Sequence, residues 1–271
     1  LDKLQYTRDW KKEGIIVSIG ETRVGGNHFL LAAGPCAVEN SGQMSGITDM
    51  LSGSSVKLLR GGAFKPRTSP YSFQGLGEDG LKLLRQTADE LKIPLVTEVT
   101  DLKHLDKVSQ YADALQIGSR NMASYELLKE VGQQAKPVLL KRGMAATIKE
   151  FLYAAEYVAN AGNEQLILCE RGIRSFDPAF RNILDLNGIA LLKHLTPFPV
   201  IVDPSHGSGR ADVVLPLSLA AAAAGADGVM VEVHPSPETA LSDGEQSLSP
   251  EDFRIWINRL SGLALYLGKA L

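Results

Sequence analysis

The sequence predicts an α/β fold, a (β/α)8 TIM barrel preceded by an N-terminal β-hairpin extension. Two observations carry that reading. Eight short apolar, β-rich runs recur with starts about 28 residues apart on average, the length of one strand–loop–helix–loop unit. Helical patterns lie between the runs, and runs that are nearly continuous in apolar character suit parallel strands covered on both faces.

Residues 1–28 stand outside this count. "GIIVSIGETRVGGNHF" holds two β-like runs around Gly20 and Gly25-Gly26, read as a hairpin plugging the barrel bottom. Residues 29–271 are read as one catalytic barrel, since no linker, low-complexity tract or charge block divides them. The first run is "FLLAAGPCAV" (29–38). The segment after it, "SGQMSGITDMLSGSS" (41–55), is short and polar for an outer helix, so a truncated or irregular first helix is expected. "VKLLRGGA" (56–63) is the second run, and "EDGLKLLRQTADELK" then puts Leu81, Leu84, Ala88 and Leu91 on one helical face. "PLVTEV" (94–99) and "ALQIGS" (114–119) follow, then "MASYELLKEVGQQA" with Leu127, Leu128 and Val131 on one face. The fifth to seventh runs are "PVLLKRG" (137–143), "QLILCERG" (165–172) and "PVIVDPSHG" (199–207). "VLPLSLAAAAAGA" is a strong helix former ending at Gly225, and "GVMVEVHP" (228–235) is the eighth run. The last helix, about 250–268, opens with Ser249 as N-cap and Pro250 in the first turn.

Composition narrows the function. The 271 residues are 44% apolar and 22% charged, with net charge −3. With a pI near 6.0, this argues against a general nucleic-acid-binding surface. Two cysteines, Cys36 and Cys169, are too few for a disulfide framework and point to a reducing compartment. No apolar run approaches the roughly 18 residues of a membrane span. "LDKLQYTRDWKKEG" lacks a signal-peptide core, so a cytoplasmic location without membrane or nucleic-acid partners is expected.

Barrels of this type keep their active sites at the C-terminal strand ends. Here the successive ends carry Cys36, Arg60, Glu98, Arg120, Lys141 with Arg142, Glu170 with Arg171 and Arg174, Asp203 with Ser205 and His206, and Glu232 with His234. Polar residues resume at any strand end, but eight consecutive ends with an ionisable or metal-binding group exceed that expectation. Arg60, Lys65, Arg67, Arg120, Lys141 and Arg171 would converge on one small mouth, and like charges so close call for anions to neutralise them. The loop within "LLRGGAFKPRTSPYSFQG" (58–75) is stiffened by Pro66 and Pro70, as suits a phosphate grip that loses little entropy on binding. Cys36, His206, Glu232 and Asp243 come from strand ends one, seven and eight and the loop after eight, neighbours once a barrel closes. This mixed soft–hard donor set suits a divalent transition metal. Taken alone, Cys36 is more often a buried thiol, and His234 competes with Glu232 because both point to one side of the strand. Cys169 is read as core.

"AGPCAVE", "LRGGAFKPRTSPYSFQGLG", "QIGSRNM", "LLKRG", "CERGIRSF", "DPSHGSGR" and "VEVHPSPETALSDGEQSL" together resemble the motif set of the 3-deoxy-D-arabino-heptulosonate 7-phosphate (DAHP) synthase family. That family carries out the first step of the shikimate pathway toward chorismate and the aromatic amino acids. The resemblance runs from about residue 14 to the C-terminus. It implies condensation of phosphoenolpyruvate with erythrose 4-phosphate, with release of phosphate. It implies a phosphoenolpyruvate site of Arg60, Lys65, Arg120, Lys141 and Arg171, and an aldose-phosphate loop of Arg67, Thr68 and Ser69. It also implies that Cys36, His206, Glu232 and Asp243 hold Mn²⁺ or another first-row divalent ion. The catalytic set so implied is Lys65, Glu98, Lys141 and Asp203 with the ligands Cys36 and His206; Glu98 and Lys141 handle the protons of the attacking water, and Asp203 orients the second substrate. A homo-oligomer, dimer or tetramer, is implied too.

The nearest alternative is 3-deoxy-D-manno-octulosonate 8-phosphate synthase, whose loop resembles K-A-N-R-[ST]-S where Lys65-Pro66-Arg67-Thr68-Ser69 stands here. A catalytically inactive phosphometabolite-binding module is a further alternative. The short stretches outside the barrel leave no room for a ferredoxin-like or chorismate-mutase appendage, so insensitivity to aromatic amino acids, chorismate and prephenate is expected.

Overall fold

The computed structural model describes residues 4–66 and 69–271. The hairpin is β1 (Val17–Ile19) and β2 (Thr22–Val24), antiparallel, with Val17 opposite Val24 and Ile19 opposite Thr22. Gly20 makes the turn at φ +57°, a conformation that favours glycine. The chain then alternates β3 (Leu30–Gly34), α1 (Ser41–Leu51), β4 (Leu58–Gly61), α2 (Glu78–Leu91), β5 (Leu95–Glu98), α3 (Leu105–Tyr111), β6 (Ala114–Ile117) and α4 (Tyr125–Gly132). It continues through β7 (Val138–Lys141), α5 (Ile148–Asn160), β8 (Leu166–Glu170), α6 (Leu186–Leu195), β9 (Val200–Val202), α7 (Pro204–Ser208), α8 (Val214–Ala223), β10 (Gly228–Glu232) and α9 (Pro250–Tyr266). Strands β3 to β10 close into a parallel barrel in sequence order, β10 pairing β3 from Gly228–Leu30 to Glu232–Gly34. The expected fold class stands.

The strands are buried along their whole length, except Glu98, because helices cover one side and barrel-filling side chains the other. The hairpin lies across the strand starts, as expected. Ile15 N donates to Pro197 O at 2.8 Å and Thr22 Oγ1 to Lys57 O at 2.8 Å, while Val17, Ile19 and Val24 join the core. Among the described residues, no helix is long and apolar enough to cross a membrane.

One expectation is corrected. The first outer helix is neither truncated nor irregular: α1 runs eleven residues, N-capped by the Asn40 side chain accepting from Gln43 N at 2.9 Å. Its stripe of Met44, Ile47 and Leu51 is buried with Gln43, whose Nε2 donates to Ala37 O at 3.0 Å, while Ser41, Ser45 and Asp49 are exposed. The small residues reflect close approach, since a Cβ on Gly46 would lie 2.6 Å from Pro235 Cγ. The seventh strand is Val200–Val202, which leaves Asp203 at its C-terminal end as expected. Asp203 then caps α7, its Oδ1 accepting from His206 N at 3.0 Å with Pro204 in the first turn, so the chain turns where the apolar run stops.

At the barrel bottom Asp227 is fully buried, accepts from Val200 N at 2.9 Å and Lys193 Nζ, and lies 3.6 Å from Lys269 Nζ. Both lysines are partly exposed and can turn to water if the carboxylate is removed. The loss on Asp227→Ala is therefore set by the charge-assisted bonds, about 2–3 kcal/mol. Urea unfolding should show a midpoint lower by that amount divided by the slope m; an unchanged midpoint would contradict it.

Candidate active site

The C-terminal strand ends surround one cavity. Arg60 at the end of β4, Lys65 in the loop beyond it, Arg120 after β6, Lys141 at the end of β7 and Arg171 after β8 all line it. Five of the six expected cations thus converge. Arg67 and Thr68 lie outside the described residues, and Ser69 is exposed, its Oγ accepting from Tyr71 N at 3.3 Å. Arg142 points away, buried between Glu170 and Asp185 at 2.8 Å from each, and Arg174 is exposed outside the cavity lining. A larger groove at the opposite end, between the hairpin and the ends of α1 and α2, lacks such convergence; its Arg85 is paired with Asp113 and Asp89.

Beside the cations sit Cys36, His206, Glu232 and Asp243, with one donor atom from each within 4.8 Å of the others. Ligands about 2.0–2.3 Å from a common ion lie at most about 4.6 Å apart, so the donors need close by only a few tenths of an ångström to share one, and their chemistry suits a divalent metal. Cys36 Sγ donates to Asp243 Oδ2 at 3.1 Å, and His206 Nε2 lies 3.5 Å from Glu232 Oε1. Burial pushes the Cys36 thiol up to about 12, Glu232 adding to this and Lys65 opposing it. Without a cation on it the sulfur therefore stays protonated and inert. Burial works against ionisation of Glu232 as well, but His206 and Arg60 outweigh it and hold the carboxyl low.

His234 is not part of the cluster. Strand β10 ends at Glu232, but Val233 N still donates to Gly34 O at 3.0 Å; His234 Nδ1 accepts from Ser236 N at 3.0 Å and its Nε2 lies 3.5 Å from Glu39 Oε2 instead. Cys169 is fully buried among the core residues, as expected.

Close packing brings the two sets together. Arg60 NH1 donates to Glu232 Oε1 and to Pro35 O, both at 2.8 Å. Its Nε is buried without a partner among the described residues, a donor suited to an incoming anion. Lys65 Nζ folds back to 3.1 Å from both Cys36 O and Cys36 Sγ, which Gly62 permits, since a Cβ there would lie 2.9 Å from Lys65 Cδ. Asp203 sits behind both sets. Its Oδ2 accepts from His206 Nδ1 at 2.7 Å and also from Lys141 Nζ. That fixes the imidazole with Nε2 toward the cluster, the outer-shell arrangement of metal-binding histidines. Burial opposes the Asp203 charge, yet His206 and Lys141 outweigh it and hold the carboxyl well below the usual carboxylate range.

Glu98 lines the cavity, its Oε2 accepting from Gln116 Nε2 at 3.3 Å. It lies over Gly118, where a Cβ would come within 2.1 Å of Oε1. Sequence reasoning missed Gln116, Arg181 and Gln246. Gln246 Nε2 donates to Glu232 Oε2 at 2.6 Å, and Arg181 NH1 donates to Asp243 Oδ1 at 3.1 Å and Gln246 Oε1 at 3.0 Å. The only sequence signal for Gln246 was its place three residues after Asp243; Arg181 offered none beyond its charge.

Fold and site together define a (β/α)8 barrel enzyme acting on small anions that carry more than one charged group. The family model described as the DAHP synthetase I family matches residues 13–264. The chain belongs to that family. It is 50% identical over 262 residues to a phospho-2-dehydro-3-deoxyheptonate aldolase of Thermotoga maritima, covering 97% of this chain and 78% of that protein. A crystal structure of a Thermotoga maritima protein of that name, also called DAHP synthase, superposes with a TM-score of 0.94 at 49% identity, covering 97% of this chain and 77% of the other. A 2-dehydro-3-deoxyphosphooctonate aldolase of Syntrophotalea carbinolica is 32% identical over 252 residues, 86% of this chain and 90% of that protein.

Proposed function

We propose that the mouth condenses phosphoenolpyruvate with erythrose 4-phosphate to DAHP and inorganic phosphate, the first step toward the aromatic amino acids. The observation that carries this reading is the five-cation cavity, with the unpartnered Nε of Arg60, directly beside the four-donor cluster. Arg60, Lys65, Arg120, Lys141 and Arg171 hold the phosphate and carboxylate of phosphoenolpyruvate, the arginines by forked bonds and the lysines as point charges. The loop through Arg67, Thr68 and Ser69 takes the phosphate of the aldose.

C3 of phosphoenolpyruvate attacks the aldehyde carbon, water adds at C2, and the resulting hemiketal phosphate breaks its C–O bond to release phosphate. Cys36, His206, Glu232 and Asp243 hold a first-row divalent ion such as Mn²⁺, which when bound supplies Lewis acidity toward the aldehyde oxygen. Glu98, fixed by Gln116, and Lys141 are placed to handle the protons of the added water. Asp203 keeps Lys141 and His206 in place, so it serves the second substrate by positioning these groups.

The phosphooctonate-aldolase relatives support a second reading in which the aldose is arabinose 5-phosphate. An open pocket rejects one extra CHOH group by only about 1–3 kcal/mol, so erythrose 4-phosphate should be preferred about 10- to 200-fold in kcat/KM. Steady-state rates with both aldoses decide. Equal or reversed values would overturn the four-carbon assignment.

A further inference from the structure

Glu39 lies three residues beyond Cys36, and its side chain is only 7% exposed. Its Oε1 accepts from Leu241 N at 2.8 Å across 202 positions of sequence. Its Oε2 faces His234 Nε2 at 3.5 Å; since His234 Nδ1 accepts from Ser236, Nε2 is the position that carries hydrogen. The Glu39 backbone N is itself tied down, donating to Gln43 Oε1 at 3.0 Å within the first turn of α1. One carboxylate therefore joins the loop after β3, which carries Cys36, to the turn that carries Asp243.

Two features make this link consequential. Asp243 stands at φ +54°, a left-handed conformation uncommon outside glycine that aspartate adopts more readily than most, so its place depends on how the turn is held. Two further ties between the loops run through Cys36 Sγ, to Asp243 Oδ2 at 3.1 Å and to Ser242 Oγ at 3.3 Å. Those contacts use a metal-donor sulfur itself and must rearrange when the sulfur and carboxylate bind a cation. The Glu39–Leu241 bond uses no donor atom of the cluster, so cation binding does not compete for it.

We propose that Glu39 is a positioning residue for the metal cluster, clasping the Cys36 and Asp243 loops so that both donors are presented together. The inference rests on the metal reading given above. Its test is titration of the metal-free full chain with Co²⁺, followed by the thiolate-to-cobalt charge-transfer absorption that reports coordination by Cys36. Outer-shell partners of metal ligands change affinity about 10- to 100-fold when removed, and Glu39→Ala should weaken Co²⁺ binding by that factor. Glu39→Gln keeps an oxygen for Leu241 N and should restore most of the affinity.

A control separates positioning from general loosening. Glu156→Ala removes another carboxylate that accepts a backbone bond from a distant segment, Tyr6 N at 2.8 Å, and should lower thermal stability without changing Co²⁺ affinity. Native-like Co²⁺ affinity in Glu39→Ala, or an equal loss in Glu156→Ala, would overturn the proposal. Absence of the absorption band in the unaltered protein would overturn the metal reading and this inference with it.

Discussion

Cys36→Ala should lower turnover about a thousandfold or more, with excess Mn²⁺ failing to restore it. Chelation of the unaltered protein should do the same, but reversibly. The sulfur is the one soft donor of the cluster, and the three remaining donors, His206, Glu232 and Asp243, lose the atom that faces Asp243 Oδ2 at 3.1 Å. Lewis-acid stabilisation of developing charge is worth several kcal/mol, and about 4 kcal/mol corresponds to roughly three decades in rate. The fold should survive, because a buried cysteine behaves as a small hydrophobe and alanine leaves only a small gap. The comparison to make is kcat of the variant at saturating Mn²⁺ beside its melting temperature. Activity within tenfold of the unaltered protein would remove Cys36 from the reaction.

Asp203→Asn should lower kcat/KM by about one to two decades while disturbing two ligands at once. The carboxylate accepts from His206 Nδ1 and Lys141 Nζ on Oδ2 and from His206 N on Oδ1, so a neutral amide loses the charge that holds Lys141 and must set its NH2 against one of these donors. Metal affinity should fall, and KM for phosphoenolpyruvate should rise because Lys141 is no longer aimed into the cavity. The folded-state pKa of Asp203 lies below its unfolded value, so the stabilisation it contributes is fully present above the ordinary carboxylate range. That contribution is lost only as pH falls through the depressed folded value. The kinetic loss in Asp203→Asn should therefore be constant from about pH 6 to 9, where the native group is ionised throughout. A loss confined to one ligand, or one that vanishes at either end of that range, would contradict the bridging role.

The barrel was legible because its strands are buried on both faces, leaving continuous apolar runs such as Leu30–Gly34 and Gly228–Glu232. Helix α1 was misread because the barrel needs only the stripe of Met44, Ile47 and Leu51 from it, and its polar remainder looks like a loop. Asp203 was legible as the end of its strand because the apolar run stops there; its capping bond to His206 N, three residues ahead, was not.

In the site, residue types at strand ends indicated the cations and the four donors, since barrel topology alone brings those ends together. Their partners were not legible. Glu232 and His234 share a face under strict alternation, and only their partners separate them: Glu232 meets Arg60 and His206, whereas His234 meets Glu39 and Ser236. Gln246 and Arg181 come from loops without periodicity, and their contacts with Glu232 and Asp243 depend on side-chain geometry that spacing does not encode.

The central claim is that one mouth joins two phosphorylated substrates with the help of a bound divalent ion. Phosphate release from phosphoenolpyruvate tests it most directly, measured with and without erythrose 4-phosphate, before chelation, after it, and after Mn²⁺ is returned. The account requires release only when the aldose and the metal are both present, with one DAHP formed per phosphate. Phosphate released at the same rate without the aldose, or undiminished in the chelated protein, would contradict it.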